Sequence, residues 1–241
     1  MSSKKEVKAE LNLYYNLEAV LKGFFQDGII FLDSSVIIPK MSLLELIRVD
    51  PFSRDKFLYL KNVNLKLFRF FLERDNYFIL PGVQEELNFG LIKAEEKQKE
   101  LLLQYGDRRL KHISATLYHH RELVDSFNVV DFRNLIERNS DLIEVSDIEI
   151  QQDELITEIT RQVPLKNGRV VSRTDVSQVV SAMQIAKYTG INTVNVSADT
   201  SDFGRIYQLI QTNYENLGFR NLGNYNLVNF SKYGKNIEII N

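Results

Sequence analysis

The sequence predicts an α/β fold with three layers (α/β/α), in which helices cover both faces of a central, mostly parallel sheet. Short apolar runs, typical of strands buried on both faces, alternate with longer segments of helical periodicity. The chain has 241 residues, of which 44% are hydrophobic, so it can bury a sizeable core. It shows no internal repeat, low-complexity tract or Gly/Ser linker. We therefore expect a single domain over residues 1–241 with its core at about 28–230, although the length alone also allows two domains.

The first part of the chain contains a long amphipathic helix and two short strands. In chain order, we predict a helix over about 4–25, a strand at Ile29–Leu32, helices over about 43–47 and 56–74, and a strand at Tyr77–Leu80. Pro81 then opens another helix, at a position where the missing N–H of proline costs nothing. From about Glu86 to Arg138 the pattern is charged and mostly helical, and its opposite charges nearly balance. We interpret residues of about 88–140 as a helical insertion in or beside the core.

The second part returns to alternating strands and helices. We predict a short strand at Leu142–Val145, a helix at Asp153–Gln162, a loop or hairpin at Pro164–Arg173, a helix at Asp175–Tyr188, a strand at Ile191–Val196, a helix at Asp202–Asn216 and a strand at Leu227–Phe230. Gly190 follows the helix that begins near Asp175, as is typical of a helix C-terminus.

The composition limits the functional classes. Cysteine is absent, which excludes disulfides, thiolate zinc sites and a cysteine nucleophile. The net charge is −2, so any binding of a polyanion must be local. The first residues are polar and charged, and no apolar run approaches the ~20 residues that span a bilayer. We expect a cytoplasmic protein with no membrane partner.

Acidic residues stand where apolar runs end and helices begin. They are Asp33 after the first strand, Glu85 and Glu86 in the first turn after the second, Asp175 at the start of a buried-looking helix, and Asp199 and Asp202 after the strand at Ile191–Val196. In a parallel sheet these strand ends lie along one edge, where binding sites are built. Carboxylates gathered there repel unless a cation lies among them. Oxygen ligands of this kind suit Mg²⁺ or Mn²⁺.

Each acid also has an explanation that involves no ligand. Asp33, Asp175 and Asp202 occupy positions where acids cap helices. The helix dipole favours acids in a first turn, which would account for Glu85 and Glu86. Adjacent helical residues point about 100° apart, so at most one of that pair is expected to face the site. The joint occurrence of these acids at strand ends and helix starts is what favours a common site.

Four segments resemble the ordered acidic motifs of the PIN-domain nuclease family (PilT N-terminus-like). They are Ile30–Ile37, Val83–Leu87, Thr174–Gly190 and Val196–Phe203. The resemblance covers about residues 28–230, with a long helical insertion after Glu86. It departs from the family pattern in one place, because two residues separate Asp199 from Asp202 where many members have one.

The resemblance implies a metal-dependent endoribonuclease that hydrolyses RNA with Mg²⁺ or Mn²⁺. It implies four catalytic metal ligands, with Asp202 as a possible fifth acid: Asp33, Glu86, Asp175 and Asp199. Glu86 is preferred to Glu85 because it directly precedes Leu87, as in the family pattern. Two alternatives stay open, namely a DNA-directed nuclease of the flap type and a non-catalytic PIN-like scaffold that binds RNA or protein.

Substrate contacts are expected beside the acids. A basic stretch leads into Asp175 and contains no acid, which would suit a phosphate backbone, although a solvated loop explains it equally well. The expected substrate-binding residues are Ser34, Ser197, Lys166, Arg169 and Arg173. The three histidines, His112, His119 and His120, lie in the insertion and are expected to be surface residues or incidental core contacts. The insertion is also a candidate surface for a homo-oligomer or a protein partner.

Overall fold

A computed structural model describes residues 2–24, 27–39, 42–129, 145–163, 168, 170–213, 224–231 and 236–240. The helices are α1 (Ser2–Phe24), α2 (Ser34–Ile37), α3 (Leu43–Val49), α4 (Arg54–Leu72), α5 (Pro81–Tyr105), α6 (Asp107–Asp125), α7 (Val145–Gln162), α8 (Arg173–Thr189) and α9 (Thr200–Asn213). The strands are β1 (Ile29–Leu32), β2 (Tyr77–Ile79), β3 (Asn128–Val129), β4 (Thr193–Ser197), β5 (Tyr225–Ser231) and β6 (Asn236–Ile240). None of the helices in this described part is both long and apolar enough to cross a membrane.

The six strands form one sheet in the order β3-β2-β1-β4-β5-β6. The first five are parallel and β6 is antiparallel to β5 at the edge. The chain runs outward from β1 through β2 to β3 and then crosses back to β4, so the strand order reverses between β1 and β4. In open α/β sheets this reversal leaves a crevice at the carboxyl ends of the strands, where ligands bind. The predicted α/β class and the parallel sheet are confirmed.

Successive side chains of each strand point to opposite faces of the sheet, and helices cover both faces. In β1, Ile30 and Leu32 pack into one core with residues of α1 and α4, while Phe31 packs into a second core with residues of α7, α8 and α9. The two faces of β5 divide in the same way, with Val228 in the first core and Leu227 in the second. A wholly apolar β1 is therefore required by its central position, since a strand that faces helices on both sides has no polar side.

The region predicted as a helical insertion is a helical hairpin that returns to the sheet. Gly106, with φ of +79°, joins α5 to α6 in a conformation that few other residues adopt. A third core of leucine and isoleucine side chains joins the hairpin to α3 and α4. The strand β3, which follows α6 directly, was not predicted, because its two residues are exposed and carry no apolar run. Residues 130–144 lie outside the described part.

Other differences from the predicted elements are local. Val145, predicted as the end of a strand, is the first residue of α7, and the rest of that predicted strand lies outside the described residues. The helix α7 starts eight residues before Asp153. Half of the predicted loop at 164–173 also lies outside the described residues, and its last residue, Arg173, begins α8. The strand β6 was missed.

The three histidines all belong to α6 and have ordinary structural surroundings. The Nε2 atom of His112 lies 2.8 Å from the Pro51 carbonyl oxygen, and Nδ1 of His119 lies 2.7 Å from Glu122 Oε2. His120 is buried, and no group among the described residues forms a hydrogen bond with its Nδ1. Burial lowers the pKa of His120 to about 4. These positions agree with the expectation that the three histidines make surface or core contacts. Because His120 is buried in its neutral form, its protonation at low pH would destabilise the fold.

We expect buried His120 to cost the folded protein stability as the pH falls from about 6.5 to about 4. His120 has a lower pKa folded than its ordinary value of 6.5, so its contribution favours unfolding as the pH falls through this window. The loss attributable to His120 is on the order of 3 kcal/mol at the acid end. Because other groups titrate in the same range, urea unfolding at pH 4.5 and 7 should be compared between two proteins: on acidification, His120→Gln should lose less stability, or gain more, than the wild type. The same change in stability in both proteins would contradict this assignment.

Candidate functional site

The candidate site lies at the carboxyl edge of the sheet where the strand order reverses. Asp33 directly follows β1, and Ala198 and Asp199 directly follow β4. The two strand ends are joined by a hydrogen bond from the Asp33 backbone N–H to the Val196 carbonyl oxygen, at 3.0 Å. Residues from both strands are therefore held side by side at the position that the topology favours for a ligand.

Asp33 is the most buried carboxylate at this edge, with only 4% of its surface exposed. Its Oδ2 accepts hydrogen bonds from the Ser197 hydroxyl at 2.9 Å, from the Ser35 backbone N–H at 3.3 Å and from the Ser35 hydroxyl. Burial raises the pKa of Asp33, and the hydrogen bonds from Ser35 and Ser197 act in the opposite direction. Asp33 is thus both the cap of α2 and a fixed carboxylate of the site.

The two serines also order the turn that follows β4. The Ala198 backbone N–H donates to the Ser35 hydroxyl at 2.9 Å, and the Asp199 backbone N–H donates to the Ser197 hydroxyl at 3.0 Å. This places Asp199 at the start of α9 and beside Asp33. Ser35 therefore contacts Asp33 at the end of β1 and both Ser197 and Ala198 at the end of β4.

Glu86 joins the site from the first part of α5. The Ser34 hydroxyl donates to Glu86 Oε2 at 3.0 Å, and Thr174 also hydrogen-bonds the Glu86 carboxylate. Partial burial raises the pKa of Glu86, and the nearby Asp33 raises it further. Glu85, the other member of the pair, is exposed like Glu86 but is not among the carboxylates that raise the pKa of Asp175. The structure therefore places Glu86, and not Glu85, in the cluster.

A close approach between two helices makes this arrangement possible. At Gly82, in the first turn of α5, a Cβ atom would lie 3.1 Å from Thr174 Cγ2 on α8. The missing side chain lets the N-terminal ends of α5 and α8 come together, which brings Glu86 and Asp175 to the same edge. A larger residue at Gly82 would push these helix ends apart.

Asp175 lies in the first turn of α8, and Ser172 rather than Asp175 caps the helix. The Ser172 hydroxyl accepts from the Thr174 backbone N–H at 3.2 Å. Burial raises the pKa of Asp175 to about 8, and so do four carboxylates around it, which in order of effect are Asp33, Glu86, Asp202 and Asp199. This one residue therefore shows that all five acids predicted for the site are close enough to interact.

The remaining acids occupy the more open side of the cluster. Asp199 is exposed, and Asp202 is half-buried in the first turn of α9. Asp202 forms an ion pair with Arg205, at 2.6 Å between Oδ1 and Nη2. The sequence analysis did not consider Arg205, whose position three residues after an acid on a helix was the available signal.

A buried amide fixes α8 to the sheet behind the site. The Asn195 side chain of β4 donates to the Gln178 carbonyl oxygen at 3.3 Å and to the Tyr225 hydroxyl at 3.0 Å. Gln178 is one turn along α8 from Asp175. These contacts tie α8 to both β4 and β5 and so limit how far Asp175 can move from the other acids.

The predicted substrate-binding residues have different surroundings. The Ser34 and Ser197 hydroxyls hydrogen-bond the carboxylates of the site, as described above, so their direct role toward a substrate stays a prediction. Arg173 lies at the start of α8 and pairs with Asp153 at 3.2 Å on the exposed surface. Lys166 and Arg169 lie outside the described residues.

The donor set of the cluster consists of carboxylate and hydroxyl oxygens, which are the ligands that Mg²⁺ and Mn²⁺ prefer. Among the residues that the structure describes, no group of three or more His, Asp or Glu side chains already forms a metal-binding arrangement. Carboxylates of this cluster would therefore have to turn toward one another to share an ion. Comparison of the chain with protein-family models, with curated proteins and with solved structures finds no match.

We expect Asp175→Asn to stabilise the metal-free protein, and more at pH 8 than at pH 5. The folded pKa of about 8 lies above the ordinary value of 3.8, so the stability that Asp175 contributes is present at low pH and is lost as the pH rises to about 8. The gain should be on the order of a few kcal/mol at pH 8. Urea unfolding in EDTA measures it.

Asp153→Asn is the matched control, because Asp153 is a carboxylate that is 79% exposed and paired only at the surface. It should change stability little at either pH. An Asp175→Asn protein no more stable than wild type at pH 8 would show that the five acids do not repel one another as described.

Proposed function

We propose that this protein is a divalent-metal-dependent nuclease that hydrolyses phosphodiester bonds, with RNA as its substrate. The observation that carries the proposal is the convergence of five carboxylates from four segments at the point where the strand order reverses, where burial and the four neighbouring carboxylates raise the pKa of Asp175 to about 8. The resemblance of the same segments to the PIN-domain nuclease family supports it and supplies the choice of RNA.

Electrostatics favour a cation in this cluster. A protein that gathers five acids at one edge raises the free energy of its metal-free folded state, unless some of the acids are protonated. Binding of a divalent ion to the folded state alone would offset that repulsion and stabilise the protein. Asp33, Glu86, Asp175 and Asp199 would hold Mg²⁺ or Mn²⁺, with Asp202 as a further ligand. Such ions supply an activated water and stabilise negative charge on a phosphate.

The carboxylates would contribute to the site in different ways, because their surroundings differ. Asp33 is fixed by three hydrogen bonds and is the natural reference point of the site. Glu86 and Asp175 come from separate helices whose ends are packed together at Gly82. Asp199, which is exposed, lies on the side from which a phosphate would enter.

The first test is cleavage of labelled RNA and DNA oligonucleotides with Mg²⁺, Mn²⁺ or EDTA. We expect metal-dependent cleavage, and we expect Asp33→Asn or Asp175→Asn to reduce it by a factor on the order of 100 or more, because loss of one ligand removes charge stabilisation at the reacting phosphate. Binding of RNA in EDTA should survive in both variants, since removing an acid lessens repulsion of phosphate.

Glu85→Gln is the matched control for Glu86→Gln, because the two acids are neighbours on α5 and only Glu86 belongs to the cluster. Glu85→Gln should cleave at close to the wild-type rate and Glu86→Gln should not. Cleavage of DNA but not RNA would favour a DNA-directed nuclease. RNA binding without cleavage under any metal condition would favour a non-catalytic scaffold and overturn the proposal.

The second test is metal-dependent stability. A divalent ion at a hundredfold excess over its dissociation constant should stabilise the folded protein by about 2.7 kcal/mol. Thermal melts should therefore shift upward from EDTA to Mg²⁺ or Mn²⁺ in the wild type and not in Asp33→Asn. Identical midpoints in EDTA and in both metals for the wild type would count against a metal site.

A further inference from the structure

One side of α5 carries a row of residues that are suited to contact a nucleic acid, and this row begins at the acidic cluster. Phe89, Gly90, Lys93 and Lys97 follow Glu86 by three, four, seven and eleven residues, so they share its side of the helix. Glu86 at the start of this row hydrogen-bonds Ser34 within the site. The row therefore begins at the carboxylates and runs away from them along the helix.

Phe89 is 62% exposed, although phenylalanine is usually buried. In a helix, an aromatic side chain leans toward the turn that precedes it. For Phe89 that turn contains Glu85 and Glu86, so its ring is expected to lean toward the end of α5 that carries the cluster acid Glu86. The Lys93 ammonium lies 5.4 Å from the ring centroid, which places a positive charge beside the ring. An exposed ring and a cation are together the usual means of binding an unpaired base and its phosphate.

Gly90 lies within the same helix and has no packing reason to be glycine. A Cβ at this position would meet nothing within 4 Å, and its backbone is not in the left-handed region. Glycine lowers helix stability relative to alanine, so an interior glycine without a packing neighbour calls for another explanation. It leaves the helix surface bare between Glu86 and Lys93, where an extended backbone would need room.

The two lysines of the row are held only by weak contacts. Lys93 pairs with Glu96 at 3.0 Å, and Lys97 pairs with Glu100, each three residues further along the helix. Exposed pairs of this kind contribute little to stability and exchange readily with solvent. Both ammonium groups are therefore able to turn toward a phosphate.

We propose that the substrate is single-stranded at the site, that an unpaired base next to the reacting phosphate stacks on Phe89, and that the strand continues over Gly90 to Lys93. This inference rests on the proposed function and names the form of its substrate. A duplex could not make the contact with Phe89, because the faces of its bases are already stacked on one another inside the double helix. Only an unpaired base that is turned outward presents a face to an aromatic ring.

The test is equilibrium binding in EDTA, which separates binding from cleavage. The probes are a fluorescent twelve-nucleotide RNA, the same RNA annealed to its complement, and the same RNA with single abasic positions. We expect tighter binding of the single strand than of the duplex. Phe89→Ala should weaken single-strand binding roughly 5- to 100-fold, and Phe89→Trp should restore it. An abasic position should cost the wild type affinity and cost Phe89→Ala less.

Other variants test the path of the strand. Lys93→Gln should reduce the slope of log affinity against log salt by about 0.7. Gly90→Gln, which puts a flexible side chain into open space on a better helix former, should weaken single-strand binding while the protein stays folded. Leu103→Ala is the matched control, since Leu103 is a 90% exposed apolar residue near the far end of α5. It should bind like the wild type.

The outcomes separate this inference from the proposed function. Metal-dependent cleavage with unchanged binding by Phe89→Ala, or equal binding of single strand and duplex, would overturn the inference and leave the nuclease proposal standing. Phe89-dependent binding of the single strand without cleavage in any metal would support the inference and overturn the nuclease proposal. Circular dichroism of each variant checks that a loss of binding is not a loss of fold.

Discussion

The hydrogen bonds that Ser35 and Ser197 donate to Asp33 hold the candidate site together. The bond from Ser35 is local, and the bond from Ser197 joins the ends of β1 and β4, which are adjacent in the sheet but lie more than 160 residues apart in the sequence. The same serine hydroxyls accept the backbone N–H groups of Ala198 and Asp199, so they also set the turn that leads into α9. A buried carboxylate without such donors would be costly, because desolvation penalises its charged form. The position of every other acid is defined relative to this fixed one.

The rest of the fold works against the repulsion that this arrangement creates. Asp175 interacts with four other carboxylates, and α8 could relieve that repulsion by moving outward. Two contacts limit such movement: the close approach of Gly82 to Thr174, and the hydrogen bonds from Asn195 on β4 to α8 and β5. The apolar core between α8, α9 and the sheet adds further resistance. The fold therefore holds the carboxylates close together although they repel one another, and bound protons or cations would stabilise this arrangement further. Such clusters with perturbed pKa values are typical of functional sites.

Much of this architecture could be predicted because burial leaves a pattern in the sequence. β1 is covered on both faces and forms an apolar run, β4 carries a valine at every second position, and the long helices carry periodic apolar positions. β3 could not be predicted in this way, since two exposed residues extend the sheet by hydrogen bonding alone. At the site, the acids could be found from their positions at strand ends, and the choice between Glu85 and Glu86 followed from the resemblance. The packing at Gly82 depends on a tertiary contact that no single segment encodes, whereas the pair between Asp202 and Arg205 is local to α9.

The helix α5 connects the two halves of the proposed activity. Its N-terminal end must pack closely against α8 to bring Glu86 to the other acids, and this fixes the rotation of the whole helix about its axis. Once that rotation is fixed, Phe89, Gly90 and Lys93 necessarily face the same side, one and two turns further on. The core side of the helix is occupied by buried residues such as Leu87 and Leu91, so the row cannot turn inward. A rigid helix thus holds an exposed ring, a bare backbone and a cation in line with the carboxylates, in the order that a strand leaving the site would meet them.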